Sequence, residues 1–161
     1  MARKLKTGFF SFTGDEGCMI VLLELISERL AQFSEKFEIA HWRVLSPAKW
    51  RDVPEFDVAV IEGAITNDHE MEKLKELRRR SKRLVAVGSC AIAGTPSNHR
   101  NFFDERRLGE IAPLLRKFKY REKVQPLKDF VKVDDEVQGC PVMEEPFLAV
   151  MEKYYEELAV K

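Results

Sequence analysis

Two segments of this 161-residue chain are almost entirely apolar, and each leads into a glycine-containing turn. They cover residues 56–61 (FDVAVI) and 83–89 (RLVAVGS), and a similar turn, TGDEG, follows the apolar residues 5–12. Strands without polar alternation are those that helices cover on both faces, as in parallel sheets. The pattern therefore predicts a parallel sheet inside a layered α/β domain.

Segments with helical spacing alternate with these strands. We predict strands at 5–12, 37–45, 56–61, 83–89 and 131–137, and helices at 18–33, 68–82 and 144–160. This alternation, with short glycine-marked turns, predicts a flavodoxin-like, three-layer α/β fold with a mostly parallel sheet. No repeat or linker interrupts it, so residues 1–161 are predicted to form a single domain.

Residues 95–126 do not follow this alternation of strands and helices. The segment is rich in Pro, Asn, Arg and Phe, and it shows helical spacing only near 107–118. Since a connection of this length is unusual without a function, we expect it to contact a partner.

The charge balance excludes several classes of partner. The chain has 27 Lys and Arg against 27 Asp and Glu, so no global basic field favours nucleic acid. No apolar run approaches the roughly 20 residues that span a bilayer. The basic N-terminus lacks a convincing cleavage site for export. We therefore expect a cytoplasmic protein that neither binds nucleic acid nor inserts directly into a membrane.

The three cysteines occupy equivalent places in the pattern. Cys18, Cys90 and Cys140 each lie in a glycine turn after a predicted strand. Because the carboxyl ends of parallel strands meet at one edge, the three thiols are expected there together. Glycine lets the backbone approach a bulky inorganic ligand, and turn N–H groups can donate to sulfur. A metal pocket is therefore predicted. Structural zinc is the alternative, although the close Cys-x-x-Cys pairs of such sites are missing.

The turns and their order resemble a known family. Gly17-Cys18 is followed by VIEGAI at 60–65, VAVGSCAIAG at 85–94 and QGCP at 138–141. This combination resembles the cluster-binding domain of nickel-iron hydrogenase small subunits, a superfamily shared with the 20 kDa cluster subunit of complex I. The complex I relatives carry adjacent cysteines at the first element, which Gly17-Cys18 does not reproduce, so hydrogenase is favoured.

The resemblance implies one 4Fe-4S cluster bound by Cys18, Cys90 and Cys140. The family motif at the first element is Cys-x-Gly-Cys, and this chain has Asp15 at the position of its first cysteine. Asp15 is the candidate fourth ligand. Alternatively, that iron binds water or hydroxide, the cluster is a 3Fe-4S form, or Glu16 substitutes. Asp15 also suits a helix cap.

Two further carboxylates are candidates for proton transfer. The resemblance implies that Glu62, at the end of a predicted strand, is a proton-relay group near the partner interface, and its alternative is a solvated turn residue. Glu16 is a second candidate because it adjoins the cluster turn, and it ranks below Glu62 because its position varies in the family that the motifs resemble.

The implied function is electron transfer. A partner large subunit would carry the nickel-iron centre, and a further iron-sulfur or flavin subunit would exchange electrons with this chain. One alternative is the cluster subunit of a complex I-like or membrane-bound hydrogenase module that passes electrons toward quinone or an ion pump. Another is a zinc-stabilised binding domain without a redox role.

Overall fold

A computed structural model describes residues 3–45 and 49–159. Residues 1, 2, 46–48, 160 and 161 lie outside the described part, including residue 160 of the predicted last helix. The strands are β1 (Leu5–Ser11), β2 (Phe37–Trp42), β3 (Phe56–Glu62), β4 (Ile65–Asn67), β5 (Ser81–Val87), β6 (Tyr120–Gln125) and β7 (Asp135–Val137). The helices are α1 (Gly17–Glu28), α2 (Leu30–Lys36), α3 (Asp68–Arg79), α4 (Gly88–Ala93), α5 (Glu105–Lys117) and α6 (Glu144–Leu158).

Five strands form one parallel sheet in the order β2-β1-β3-β5-β7. This is the strand order of flavodoxin-like folds, so the predicted fold class is confirmed. Side chains alternate between the faces of a strand, and Phe9 and Val60 therefore pack with α1, α2 and α6. Their neighbours Phe10 and Ile61 pack with α3 and α4 on the opposite face.

The predicted helix 18–33 is wrong as a single element. The chain leaves helical geometry at Arg29, where φ is −114° and ψ is 23°, and α2 begins at Leu30. Leu30 shares the three- and four-residue apolar spacing that predicted one helix, but it is 57% exposed. Strand β2 begins directly after α2, at the predicted residue, and pairs with β1 from Leu5↔Phe37 onward.

The predicted strand 131–137 is shorter in the structure and covers only Asp135–Val137. The Asp134 carboxylate accepts the Leu84 N–H at 2.8 Å and binds Arg78 at 2.5 Å. A side chain thus takes a backbone donor that a longer strand would have used. The second predicted strand likewise ends at Trp42, not at residue 45.

Residues 95–126 contain more structure than their composition indicates. Helix α5 begins at Glu105, two residues before the predicted start, and Asp104 caps it by accepting the Arg107 N–H at 2.9 Å. Strand β6 then pairs antiparallel with β4, which the sequence did not predict. Phe102 and Phe118 are largely exposed. Contact of this segment with a partner stays a prediction.

The helices within residues 3–45 and 49–159 include none with the length and apolar character required to span a membrane.

A buried ion pair at the opposite end of the sheet from the cysteines stabilises the fold. Asp57 is 4% exposed and accepts hydrogen bonds from Arg3 at 2.7 and 2.8 Å, Lys82 at 2.8 Å and the Lys6 N–H at 2.9 Å. Although burial opposes ionisation, these donors hold the pKa of Asp57 well below its usual range.

Asp57→Asn is expected to lower the free energy of unfolding by about 2 kcal/mol, since it removes charge-assisted bonds while both cations stay half exposed. The ionised Asp57 stabilises the fold fully above its unfolded pKa of about 3.9, and this contribution is lost as the pH falls toward the lower folded-state pKa. Urea unfolding from pH 7 to pH 3 should therefore show a weaker acid dependence in Asp57→Asn than in the wild type. If the free energy of unfolding depended equally on pH in both proteins, this role of Asp57 would be contradicted.

Candidate metal centre

The three cysteines lie at the carboxyl edge of the parallel sheet. Cys18 is in the first turn of α1, Cys90 is in α4 directly after β5, and Cys140 follows β7. All three line one cavity of about 430 Å³, together with Asp15 and Glu62. Cys18 and Cys90 are partly buried, Cys140 is exposed, and all three are free thiols.

Glycine at two turns lets the three cysteine-bearing segments approach one another. Gly88 has a φ of +82°, and a Cβ placed there would collide with Cys18 Sγ. Gly139 has a φ of +126°, and its carbonyl accepts the Ser89 N–H at 2.8 Å. This bond ties the turn that carries Cys140 to the start of α4.

The Cys18 sulfur has two polar contacts that the sequence did not reveal. The Val142 N–H and the Glu62 carboxylate both lie near it. Burial raises the pKa of the Cys18 thiol to about 11, the Val142 N–H opposes this rise, and Glu62 adds to it. The thiol is thus protonated at neutral pH in the metal-free protein. A bound metal ion reverses this preference because it favours the thiolate directly.

Glu62 is 3% exposed, so the alternative of a solvated turn residue is wrong. Its two oxygens accept the Ser11 hydroxyl at 3.0 Å and the Met19 N–H at 3.1 Å. The side chain therefore joins β1, β3 and the first turn of α1. Burial raises the pKa of Glu62, and the bonds from Ser11 and Met19 oppose that rise. Its role in proton transfer stays a prediction.

Asp15 and Glu16, adjacent in sequence, line different cavities. Asp15 borders the cysteine cavity, and its Oδ1 accepts the Gly17 N–H at 3.0 Å at the start of α1. The N-cap position of α1 is Glu16, which has no side-chain cap, so Asp15 lies one residue before the capping position and its bond to Gly17 stabilises the turn. The carboxylate borders the cavity. Glu16, with a φ of 61°, lines a smaller pocket with His41 and Lys73. The structure thus brings Asp15 to the cysteines and places Glu16 next to a different pocket.

Two serines belong to the wall of the same cavity. Ser97 Oγ lies 3.4 Å from Cys90 Sγ, and Ser89 Oγ donates to the Gly139 carbonyl at 3.1 Å. Ser97 lies seven residues beyond Cys90 in a segment without regular spacing, so no pattern in the sequence indicates a role for it. Only its proximity to a candidate ligand reveals it.

The chemistry of the cavity suits an iron-sulfur cluster. Thiolates are the usual ligands of such clusters, and hydrogen bonds to their sulfurs are part of how proteins tune them. Gly88 has no side chain, and this leaves room for the Cys18 sulfur, with which a Cβ at residue 88 would collide. Among residues 3–45 and 49–159, no three His, Cys, Asp or Glu side chains converge in the way that a single metal ion requires. The thiols are instead distributed around the cavity wall.

Residues 16–154 match the family described as NADH ubiquinone oxidoreductase, 20 Kd subunit. The chain belongs to this family. The matched residues include Cys18, Cys90 and Cys140, and the resemblance that the turn motifs indicated is confirmed.

Relatives with a similar sequence include hydrogenase subunits. A subunit of the F420-non-reducing hydrogenase of Methanothermobacter marburgensis is 32% identical over 155 residues, which cover 88% of this chain and 50% of the relative. Sulfhydrogenase 2 subunit delta of Pyrococcus furiosus is 30% identical over 151 residues, which cover 91% and 60%. The chain spans about half the length of the first of these curated relatives.

A solved structure of an NAD+-reducing NiFe-hydrogenase in the H2-reduced state contains a similar chain. The TM-score is 0.78 at 30% identity, and the match covers 96% of this chain and 93% of that chain. This member of the 20 Kd subunit family is therefore a homologue of subunits of hydrogenases, which are oxidoreductase complexes.

Proposed function

We propose that this chain is the electron-transfer small subunit of a cytoplasmic nickel-iron hydrogenase and that it forms one cluster-binding domain. The observation that carries the proposal is the cavity at the carboxyl edge of the sheet, which Cys18, Cys90 and Cys140 all line. In open α/β sheets, ligands bind at this edge.

In this proposal the three cysteine thiolates hold one 4Fe-4S cluster, and Asp15 supplies the ligand of its fourth iron. A 3Fe-4S form lacks that iron and would need the three cysteines only. When bound, the cluster accepts and releases single electrons. The residues around it have defined tasks. The Val142 N–H favours the Cys18 thiolate, the Ser89 N–H fixes the turn before Cys140, and Glu62 orients the first turn of α1.

The proposed partners follow from the position of the cavity. Cys140 is exposed at its rim, so a partner placed over this edge would shield the site from water. We propose that this partner is a hydrogenase large subunit with a nickel-iron centre. A second redox subunit, with an iron-sulfur cluster or a flavin, would exchange electrons with this chain.

Metal analysis of the native complex tests the proposal. The chain should be purified anaerobically with its partners, and iron, sulfide, nickel and zinc should be measured together with reduced-state EPR spectra. We expect about three or four irons with a similar amount of sulfide per chain, and nickel in a larger subunit. Stoichiometric zinc without sulfide would overturn the proposal in favour of a structural site.

Replacing Asp15 by cysteine tests the fourth ligand. Asp15→Cys completes Cys-x-Gly-Cys, so we expect about four irons per chain and slower loss of iron to a chelator, since thiolate is the softer ligand. Asp15→Ala should lose iron faster than the wild type. The rate of iron loss from each variant is measured by the absorbance of the chelated iron over time.

Glu16→Cys is the matched control for Asp15→Cys because Glu16 lines the neighbouring pocket. It adds a thiol one residue away and should leave the rate of iron loss unchanged. Equal slowing by both variants would contradict the assignment to Asp15. A slower loss in Glu16→Cys alone would favour Glu16 as the substitute ligand.

A further inference from the structure

The hydroxyl of Ser97 faces a cysteine at the wall of the cavity. Ser97 Oγ is 3.4 Å from Cys90 Sγ, a distance within the range of hydrogen bonds to sulfur, and either atom can donate while Cys90 is a thiol. Both residues are partly buried. The contact is therefore partly shielded from the solvent that would otherwise compete for the hydroxyl.

The segment that carries Ser97 is anchored to α4, the helix of Cys90. The next residue, Asn98, is buried, and its Nδ2 donates to the Ala93 carbonyl at 3.4 Å. The Thr95 hydroxyl donates to Asn98 Oδ1 at 3.4 Å. Gly94, which ends α4, has a φ of +78° and lies against Asn98. Contacts of the residues before and after Ser97 thus hold this segment in place relative to α4 and Cys90.

A cysteine that binds iron has given up its proton, so in that state only the Ser97 hydroxyl can donate. We propose that Ser97 is a positioning residue that donates a hydrogen bond to the Cys90 thiolate and thereby raises the reduction potential of the cluster; this inference rests on the proposed function. Reduction adds one electron and breaks no bond. The added negative charge on the sulfurs strengthens the hydrogen bond, which favours the reduced state.

A pair of variants with the same side-chain shape isolates the hydroxyl. Ser97→Thr keeps it, and Ser97→Val replaces it with a methyl group. The measurement is an EPR-monitored redox titration of the anaerobically purified native complex. We expect the midpoint potential of Ser97→Val to shift to more negative values, and that of Ser97→Thr to stay close to the wild type.

Ser34→Ala is the control outside the cavity. The Ser34 hydroxyl is exposed on α2 and donates to the Ala31 carbonyl at 2.9 Å, so this variant removes a serine hydroxyl without altering the cavity wall. We expect a midpoint potential equal to that of the wild type. An equal shift in Ser34→Ala and Ser97→Val would contradict a specific role of the Ser97 hydroxyl.

The possible results separate this inference from the proposed function. If Ser97→Val and Ser97→Thr retain the cluster and have the same potential, the role of the hydroxyl is overturned while the cluster assignment stands. If only Ser97→Thr retains the cluster, the hydroxyl requirement is supported. Loss of the cluster from both variants overturns the inference. A wild-type chain without iron overturns the proposed function and this inference with it.

Discussion

Gly88→Ala is expected to lower the free energy of unfolding by about 2 kcal/mol and to reduce the iron bound per chain several-fold. The φ of Gly88 is +82°, and an L-residue at such an angle costs about 1–3 kcal/mol. The new Cβ would also collide with Cys18 Sγ, so this sulfur has to leave its present position in the cavity wall. Urea unfolding measures the first effect, and iron and sulfide analysis of the anaerobically purified chain measures the second.

Gly109→Ala is the matched control for this substitution. Gly109 lies inside α5, and a Cβ placed there has no neighbour within 4 Å. Alanine is favoured over glycine in a helix by about 1 kcal/mol, so Gly109→Ala should be neutral or stabilising and should keep its iron. If Gly88→Ala retains wild-type iron and stability, the close approach of β5–α4 to Cys18 is contradicted.

The parts of the fold that the sequence predicted are those with a strong local pattern. All seven residues of β3 are buried, and the apolar run at 56–61 located this strand to within one residue. The three glycine turns similarly predicted that Cys18, Cys90 and Cys140 belong to one edge, where the structure places them in one cavity. A buried strand requires a run of apolar residues and a tight turn favours glycine, so both can be predicted from neighbouring residues in the sequence.

The parts that the sequence did not predict depend on contacts between distant residues. Helix α4 has six residues, too few for periodicity to reveal, and β4 has three. The contact of Ser97 with Cys90 depends on the path of the chain after α4, and the proximity of Val142 to Cys18 depends on residues from opposite ends of the chain. Such contacts are defined by tertiary packing, and no spacing rule reports them.

Alanine at each of the three cysteines is expected to reduce bound iron and sulfide together by at least tenfold, because even changes around metal ligands cost about 10–100-fold in affinity. The free energy of unfolding of the metal-free chain should change by different amounts in Cys18→Ala and Cys140→Ala. Cys18 packs against the core, so Cys18→Ala should cost about 1 kcal/mol. Cys140 is exposed, and Cys140→Ala should change the stability by less than about 0.5 kcal/mol.

This difference separates ligand loss from unfolding. Cys140→Ala removes a proposed ligand without disturbing packing, so its loss of iron cannot be attributed to a damaged fold. Cys140→Ser is the more conservative substitution, because it keeps a donor atom at this position. Oxygen is a harder donor than sulfur, so we expect Cys140→Ser to retain less iron than the wild type and more than Cys140→Ala. Circular dichroism of the metal-free chains should show native folding in both variants. If Cys140→Ala keeps its full iron and sulfide, Cys140 is not a ligand, and the cavity then holds the cluster through Cys18, Cys90 and other donors of its wall.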